Sequence, residues 1–372
     1  MVYQIATLVT IRMVTITAWC CCKSRSSPTF VAACTHNEMR AGAGKLTVFF
    51  NHTSQFIMSA ALTDWSSGER TDRVCLPDGR HLWLHAAGPS RKTAATPAVV
   101  LIHGLGGAAT EWLGVHRHIA RFARVYLYER AGYQGSDSST QPPTAANIAA
   151  DLHSLLRAAG IQPPFLLVGH SYGGVITNQV LANYTNEVFG MVIVDSSPVV
   201  DRFPAVWTRL LGGAEYEDVV GLRANLGIPE HDYKNIKLQS DVNEAPGGIA
   251  DQELEHQAPA NQYLWDSIRG KQLLGDKRLA VVFCDESHDF RKIHRYGVEH
   301  GYGTAEEQEI VQSHLVEMSE RDEQAQRELL ALSSNARFVR ADGKRATHNV
   351  QVVDPEWVAR QVRWVFDGTE PR

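Results

Sequence analysis

Residues 165–174 read Phe-Leu-Leu-Val-Gly-His-Ser-Tyr-Gly-Gly, and the rest of the chain is organised around them. A short apolar run rich in Leu and Val breaks at Gly169, meets Ser171 between glycines, and is followed by residues 175–181, which can continue as a helix. The pattern predicts a strand, a tight turn and a helix. On such a turn the serine hydroxyl is pushed out of the sheet, and side chains at Gly169 and Gly173 would collide with neighbouring backbone. The turn also sets the backbone N–H of Tyr172 beside the serine, at a helix start where developing negative charge is favoured.

Five-residue patterns of the form Gly-x-Ser-x-Gly recur by chance, so the surroundings decide their weight. Residues 97–107 read Pro-Ala-Val-Val-Leu-Ile-His-Gly-Leu-Gly-Gly, a second buried strand running into a glycine-rich turn. Far downstream, Ala346-Thr347-His348-Asn349 follows the strand-like residues 336–341 and precedes a helix opened by Asp354-Pro355-Glu356. In this order the three stretches resemble the oxyanion loop, nucleophile elbow and late histidine of the α/β-hydrolases, over residues 73–367. The resemblance implies an α/β fold: a mostly parallel eight-stranded sheet with helices on both faces and a helical cap.

The chemistry follows from the parts. A serine hydroxyl is a poor nucleophile near neutral pH unless a base takes its proton. With Ser171 as the candidate nucleophile, His348 stands apart from the other histidines because it follows a late strand, precedes the final helix and resembles the family's catalytic histidine. His103, Gly104, Gly169, His170 and Gly173 read as support for the two turns. The family places one oxyanion donor at the residue after His-Gly, which carries over to the N–H of Leu105, paired with that of Tyr172.

The acid that orients the imidazole is less plain. The family usually takes it from a Gly-x-x-Asp turn after the strand that follows the cap. Here that strand continues as Cys-Asp-Glu-Ser-His-Asp over residues 284–289, with no glycine before Tyr296, which weakens Asp285 and Asp289. A minority of relatives place the acid at the end of the preceding strand. That residue is Asp195, ending an apolar strand where a carboxylate needs a partner. Asp195 is favoured, with Asp285 the alternative.

A serine at the elbow argues against the dehalogenase and epoxide hydrolase chemistries, which in this family resemble each other in using an aspartate there. The resemblance implies acyl transfer to water on an ester, lactone or related small molecule, without an external cofactor. Two other classes stand against this: a non-catalytic protein of the same fold that binds a small ligand, and a membrane-associated lipid hydrolase.

Composition narrows the field further. The chain has 372 residues, a net charge of -5 and a pI near 6.3, with no basic footprint for nucleic acid. The six cysteines (Cys20, Cys21, Cys22, Cys34, Cys75 and Cys284) form no Cys-x-x-Cys pair, which argues for free thiols and a cytoplasmic setting rather than a zinc site or disulfide framework.

Residues 1–67 read as a weakly packed extension, 68–198 and 277–372 as the two parts of the core, and 199–276 as a helical cap insertion. Residues 1–20 have the length of a membrane span, but Arg12 and the interspersed threonines count against one. Cys20 to Cys22 beside Lys23 and Arg25 would suit a lipidated anchor, so membrane contact is expected only through residues 1–25. A natural start at Met39 or Met58 is a further expectation. Thr110 is expected to cap the next helix, and residues 304–332 to form a charged, solvent-facing helix.

Overall fold

A computed structural model describes residues 48–50, 56–58, 64–198 and 204–370; for 48–50, 56–58 and 259 it describes the backbone only. The strands are β1 (Arg70–Cys75), β2 (His81–Ala87), β3 (Ala98–Ile102), β4 (Val125–Tyr128), β5 (Phe165–His170), β6 (Val188–Val194), β7 (Leu279–Phe283) and β8 (Ala336–Arg340), of which β3 to β7 come from apolar runs while the edge strands β1 and β8 carry charged residues. They form one eight-stranded sheet in the order β8-β7-β6-β5-β3-β4-β2-β1. Only β2 runs antiparallel to its neighbours; the other pairings are parallel. A separate antiparallel ribbon joins Val48–Phe50 to Phe56–Met58.

Helices cover both faces, which is why the central strands are apolar along their whole length rather than alternating. The helices flanking the sheet are α1 (Leu113–Ile119), α2 (Ala145–Ala158) and α3 (Tyr172–Tyr184). Two more, α4 (Glu230–Asn243) and α5 (Ile249–Ile268), lie between β6 and β7, where the described residues contain no strand. They are followed by α6 (Ser287–His300), α7 (Ala305–Glu328) and α8 (Pro355–Asp367).

Along β3 the side chains separate with period two: Val99 and Leu101 pack with Val115 of α1 and Val362 of α8, while Val100 and Ile102 pack with Leu152 of α2 and Ile176 of α3. A third cluster joins Leu210, Val220, Ile228 and Tyr233 to Ile293 of α6 and Leu315 of α7, so the segment between β6 and β7 has apolar anchorage of its own.

Local chemistry sets the helix boundaries. Thr144 caps α2 by accepting from the Asn147 N–H, and Asp354 does the same for α8 at Trp357, with Pro355 in the first turn. Thr304 and Glu307 form a reciprocal capping box at the start of α7.

Three expectations need correction. Thr110 caps nothing: its hydroxyl donates to Gln239 Oε1 at 2.7 Å, and α1 begins later, at Leu113, after a short 3₁₀ turn. The helix α7 is not simply solvent-facing, because it buries Val311, Leu315, Met318 and Gln326. The packed region also begins before residue 68. Trp65 is buried, and its carbonyl accepts from Arg124 Nη2 (2.7 Å) and the Tyr126 hydroxyl (3.0 Å). The proposed span at 1–20 and the cysteines Cys20 to Cys22 lie outside the described residues. No helix among those described is long and apolar enough to cross a membrane.

Candidate active site

Just past β5, β6 and β7 stand the only non-glycine residues with positive φ among those described: Ser171 (52°), Asp195 (45°) and Asp285 (51°). Backbone in this region is costly for a residue with a Cβ and is held only where the surroundings over-determine it. At Ser171 the cause is visible. A Cβ on Gly169 would strike the carbonyl of Gly173, and one on Gly173 would strike the carbonyl of Ile102, so the turn closes only with glycine at both positions.

The three candidate carboxylates have different partners. Asp195 Oδ2 lies 2.8 Å from His348 Nδ1, and its Oδ1 accepts from the Cys284 N–H (3.0 Å) and Gln326 Nε2 (3.3 Å). Asp285 instead accepts from the Ser287 hydroxyl (2.6 Å) and Arg340 Nη2 (3.1 Å), with His288 Nδ1 at 3.3 Å. Asp289 is fully buried and accepts from Thr347 Oγ1 (2.7 Å) and Lys292 Nζ (3.2 Å). The structure therefore brings His348 and Asp195 together and leaves Asp285 and Asp289 in separate networks. No hydrogen bond joins the Ser171 hydroxyl to His348 among the described residues; such bonds often tighten only when substrate is bound.

Burial disfavours an imidazolium at His348, but the carboxylates of Glu286, Asp195 and Asp289 outweigh it and raise the histidine above its ordinary value. Burial likewise works against a charged Asp195, and the hydrogen bond and charge of His348 hold it below the usual carboxylate range. Asp322 of α7 is pushed up to about 8, first by burial and then by Asp195 and Glu286.

The glycine-rich loop after β3 meets the elbow directly: a Cβ on Gly104 would lie 3.2 Å from Ser171 Cβ. Its N–H groups divide. That of Gly104 donates to Glu111 Oε1 (3.1 Å) and that of Gly106 to the Tyr133 hydroxyl (3.3 Å). Those of Leu105 and Tyr172 have no acceptor among the described residues. The two donors singled out from sequence are among those without an acceptor where loop and elbow meet.

Sequence reasoning missed several residues. Buried Glu111 uses one oxygen for both the Gly104 N–H and His170 Nδ1 (3.2 Å), while His170 Nε2 donates to the carbonyl of His348 (2.8 Å). One carboxylate and one histidine therefore tie the loop, the elbow and the His348 segment together. The only sequence signal was a charged residue among Ala108, Ala109 and Trp112, all buried. Gln326 carried no signal, since it lies in a strongly charged helix. Burial, and then the charge of Arg130, hold the His103 imidazole well below its ordinary value. It sits 3.3 Å from Glu129 without hydrogen-bond alignment. Glu129 is raised to about 8 by its burial. No group of three or more His, Cys, Asp or Glu among the described residues is placed to hold a metal ion.

Compared with known proteins, residues 99–361 match the profile of the alpha/beta hydrolase family. An AB hydrolase superfamily protein of Gibberella zeae is 29% identical over 302 residues, covering 76% of this chain and 90% of the relative. An enol-lactonase from Burkholderia xenovorans LB400 superposes with a TM-score of 0.51 at 14% identity, over 79% of this chain and 99% of its own. A meta-cleavage product hydrolase from Pseudomonas fluorescens IP01 also gives 0.51 at 14% identity, over 80% and 97%. At such identities the structural likeness speaks to fold alone.

Proposed function

The chain belongs to the alpha/beta hydrolase family, and from that premise we propose that it is a serine hydrolase cleaving an ester, lactone or related acyl bond of a small molecule. Ser171 attacks the carbonyl carbon as His348 Nε2 takes the hydroxyl proton. The developing oxyanion is received by the N–H groups of Leu105 and Tyr172. His348 then gives the proton to the departing alcohol oxygen, and a water activated by the same imidazole releases the acyl group from Ser171. In the neutral imidazole, which is the form that acts as base, Asp195 accepts from Nδ1–H and leaves the lone pair on Nε2 for the serine, and it stabilises the imidazolium that forms. The segment 199–276 acts as a cap that shapes the substrate pocket and excludes water.

The observation that carries this reading is the 2.8 Å pair of His348 and Asp195 at the same sheet edge as the strained Ser171. The test is hydrolysis of a short-chain p-nitrophenyl ester panel, with labelling by a fluorophosphonate probe, for wild type and Ser171→Ala. Turnover and labelling that both vanish with Ser171 are the expected result. A folded wild type that neither turns over any ester nor takes the label would overturn the reading and favour the ligand-binding alternative.

A further inference from the structure

The loop bearing Leu105 is held from the segment between β6 and β7. Arg130, just past β4, is fully buried, and its guanidinium donates to the carbonyls of His103 (2.7 Å) and Gly104 (2.9 Å) and to the Tyr133 hydroxyl (2.8 Å). Its other side meets Glu253 of α5, also fully buried, through two bonds of 2.7 and 2.8 Å. The Tyr133 hydroxyl donates to the same carboxylate (2.7 Å) and accepts from the Gly106 N–H (3.3 Å). From the end of α4, the Asn243 amide donates to the carbonyls of Gly106 (3.1 Å) and Gly107 (2.9 Å).

The geometry has a directional consequence. The Gly104 carbonyl and the Leu105 N–H belong to one peptide unit, which is planar and trans, so the two groups point in opposite directions. Arg130 fixes the carbonyl and therefore aims the N–H. A guanidinium on the carbonyl also polarises that peptide and strengthens the N–H as a donor. Arg130 stays charged and in place at this depth because Glu253 pairs with it through two parallel bonds. Gly106, at φ 67°, packs so tightly beneath Glu244 of the same segment that a Cβ would overlap that side chain.

We infer that Glu253 and Asn243 are positioning residues for the oxyanion donor at Leu105, so that the segment between β6 and β7 forms part of the catalytic apparatus rather than merely covering it. The inference rests on the hydrolase reading above.

The experiment compares wild type, Glu253→Gln, Asn243→Ala and Lys234→Ala, the last on the exposed face of α4. For each, kcat and KM are measured per fluorophosphonate-titrated site, together with thermal stability and amide exchange of residues 104–107. Displacing a catalytic group by a fraction of its productive geometry should lower kcat about tenfold to a hundredfold in Glu253→Gln with KM within about threefold. Asn243→Ala, the milder change should Glu253→Gln fail to fold, should move kcat in the same direction. Both should speed exchange at Leu105 and Gly106, and Lys234→Ala should do neither. Unchanged kcat per titrated site in both variants would overturn the inference, whatever happens to stability. If wild type is inert toward ester and probe, the hydrolase reading fails by itself. Exchange then decides whether the segment holds the loop: unchanged exchange in both variants overturns that too.

Discussion

Asp195 and Asp285 stand just past adjacent parallel strands, both with left-handed backbone (45° and 51°) and both only 4% exposed. By local structure they are near-twins, yet their surroundings differ completely. Asp195 faces His348 and takes its remaining bonds from the Cys284 N–H and Gln326. Asp285 faces Ser287, Arg340 and the half-exposed His288. Strain at a strand end therefore marks a place where a side chain is being presented, and only the partner across the gap says for what. One aspartate is in position to orient a base, while the other staples α6 to β8.

The sharpest way to break this comparison starts from a protein without its nucleophile. Ser171→Ala should lower kcat on the order of 10⁶-fold, with its circular dichroism spectrum unchanged. Hydrolysis that survives would remove the chemical meaning of both aspartates. Next in size is Asp195→Asn, for which loss of the correct tautomer predicts a fall in kcat on the order of 10⁴-fold. A stopped-flow or steady-state assay that finds less than about tenfold would take the acid role away from Asp195.

The pH dependence of stability sharpens the contrast further. His348 is raised above its ordinary value of 6.5. The stability it contributes is therefore complete below pH 6.5 and is lost as pH rises through the raised value. Asp195 is lowered below its ordinary 3.8, so its share is complete above pH 3.8 and is lost as pH falls through the lowered value. Asp195→Asn should flatten the decline of melting temperature above pH 6.5, whereas Asp285→Asn should leave that decline as in wild type. A decline of equal slope in all three would show that the His348 pair does not control it. The smallest effect is that of Asp285→Asn on the protein itself. It should change kcat by less than about threefold and cost about 1 kcal/mol in urea unfolding, because its Arg340 partner is half exposed and screened while the Ser287 bond can be kept. A loss of activity like that of Asp195→Asn would make the two sites equivalent after all.

The same division separates what could be read from the chain and what could not. The central strands were legible because burial on both faces forces continuous apolar runs, and the elbow because only glycine fits at Gly169 and Gly173. The helix start at Asp354 was a local signal that held, but Thr110 offered a similar one and was drawn instead to Gln239, 129 residues away. That failure is instructive. A capping side chain competes among all donors and acceptors in reach, and tertiary structure supplies most of them.

Sequence alone gave away the fold class, through buried strand runs and a glycine turn that obey short-range rules, and its resemblance to the family singled out Ser171, His348 and the N–H groups of Leu105 and Tyr172 as candidates. Tertiary structure decided which aspartate meets His348, that Glu111 and His170 bind three segments into one edge, and that Glu253 and Asn243 reach into the loop beside Leu105. Those pairings join residues far apart in the chain, and a charged or amide side chain on a polar helix looks the same in sequence whether it faces water or a buried partner. Only the packing of α4, α5 and α7 against the strand ends separates the two cases, because it removes the water that would otherwise satisfy them.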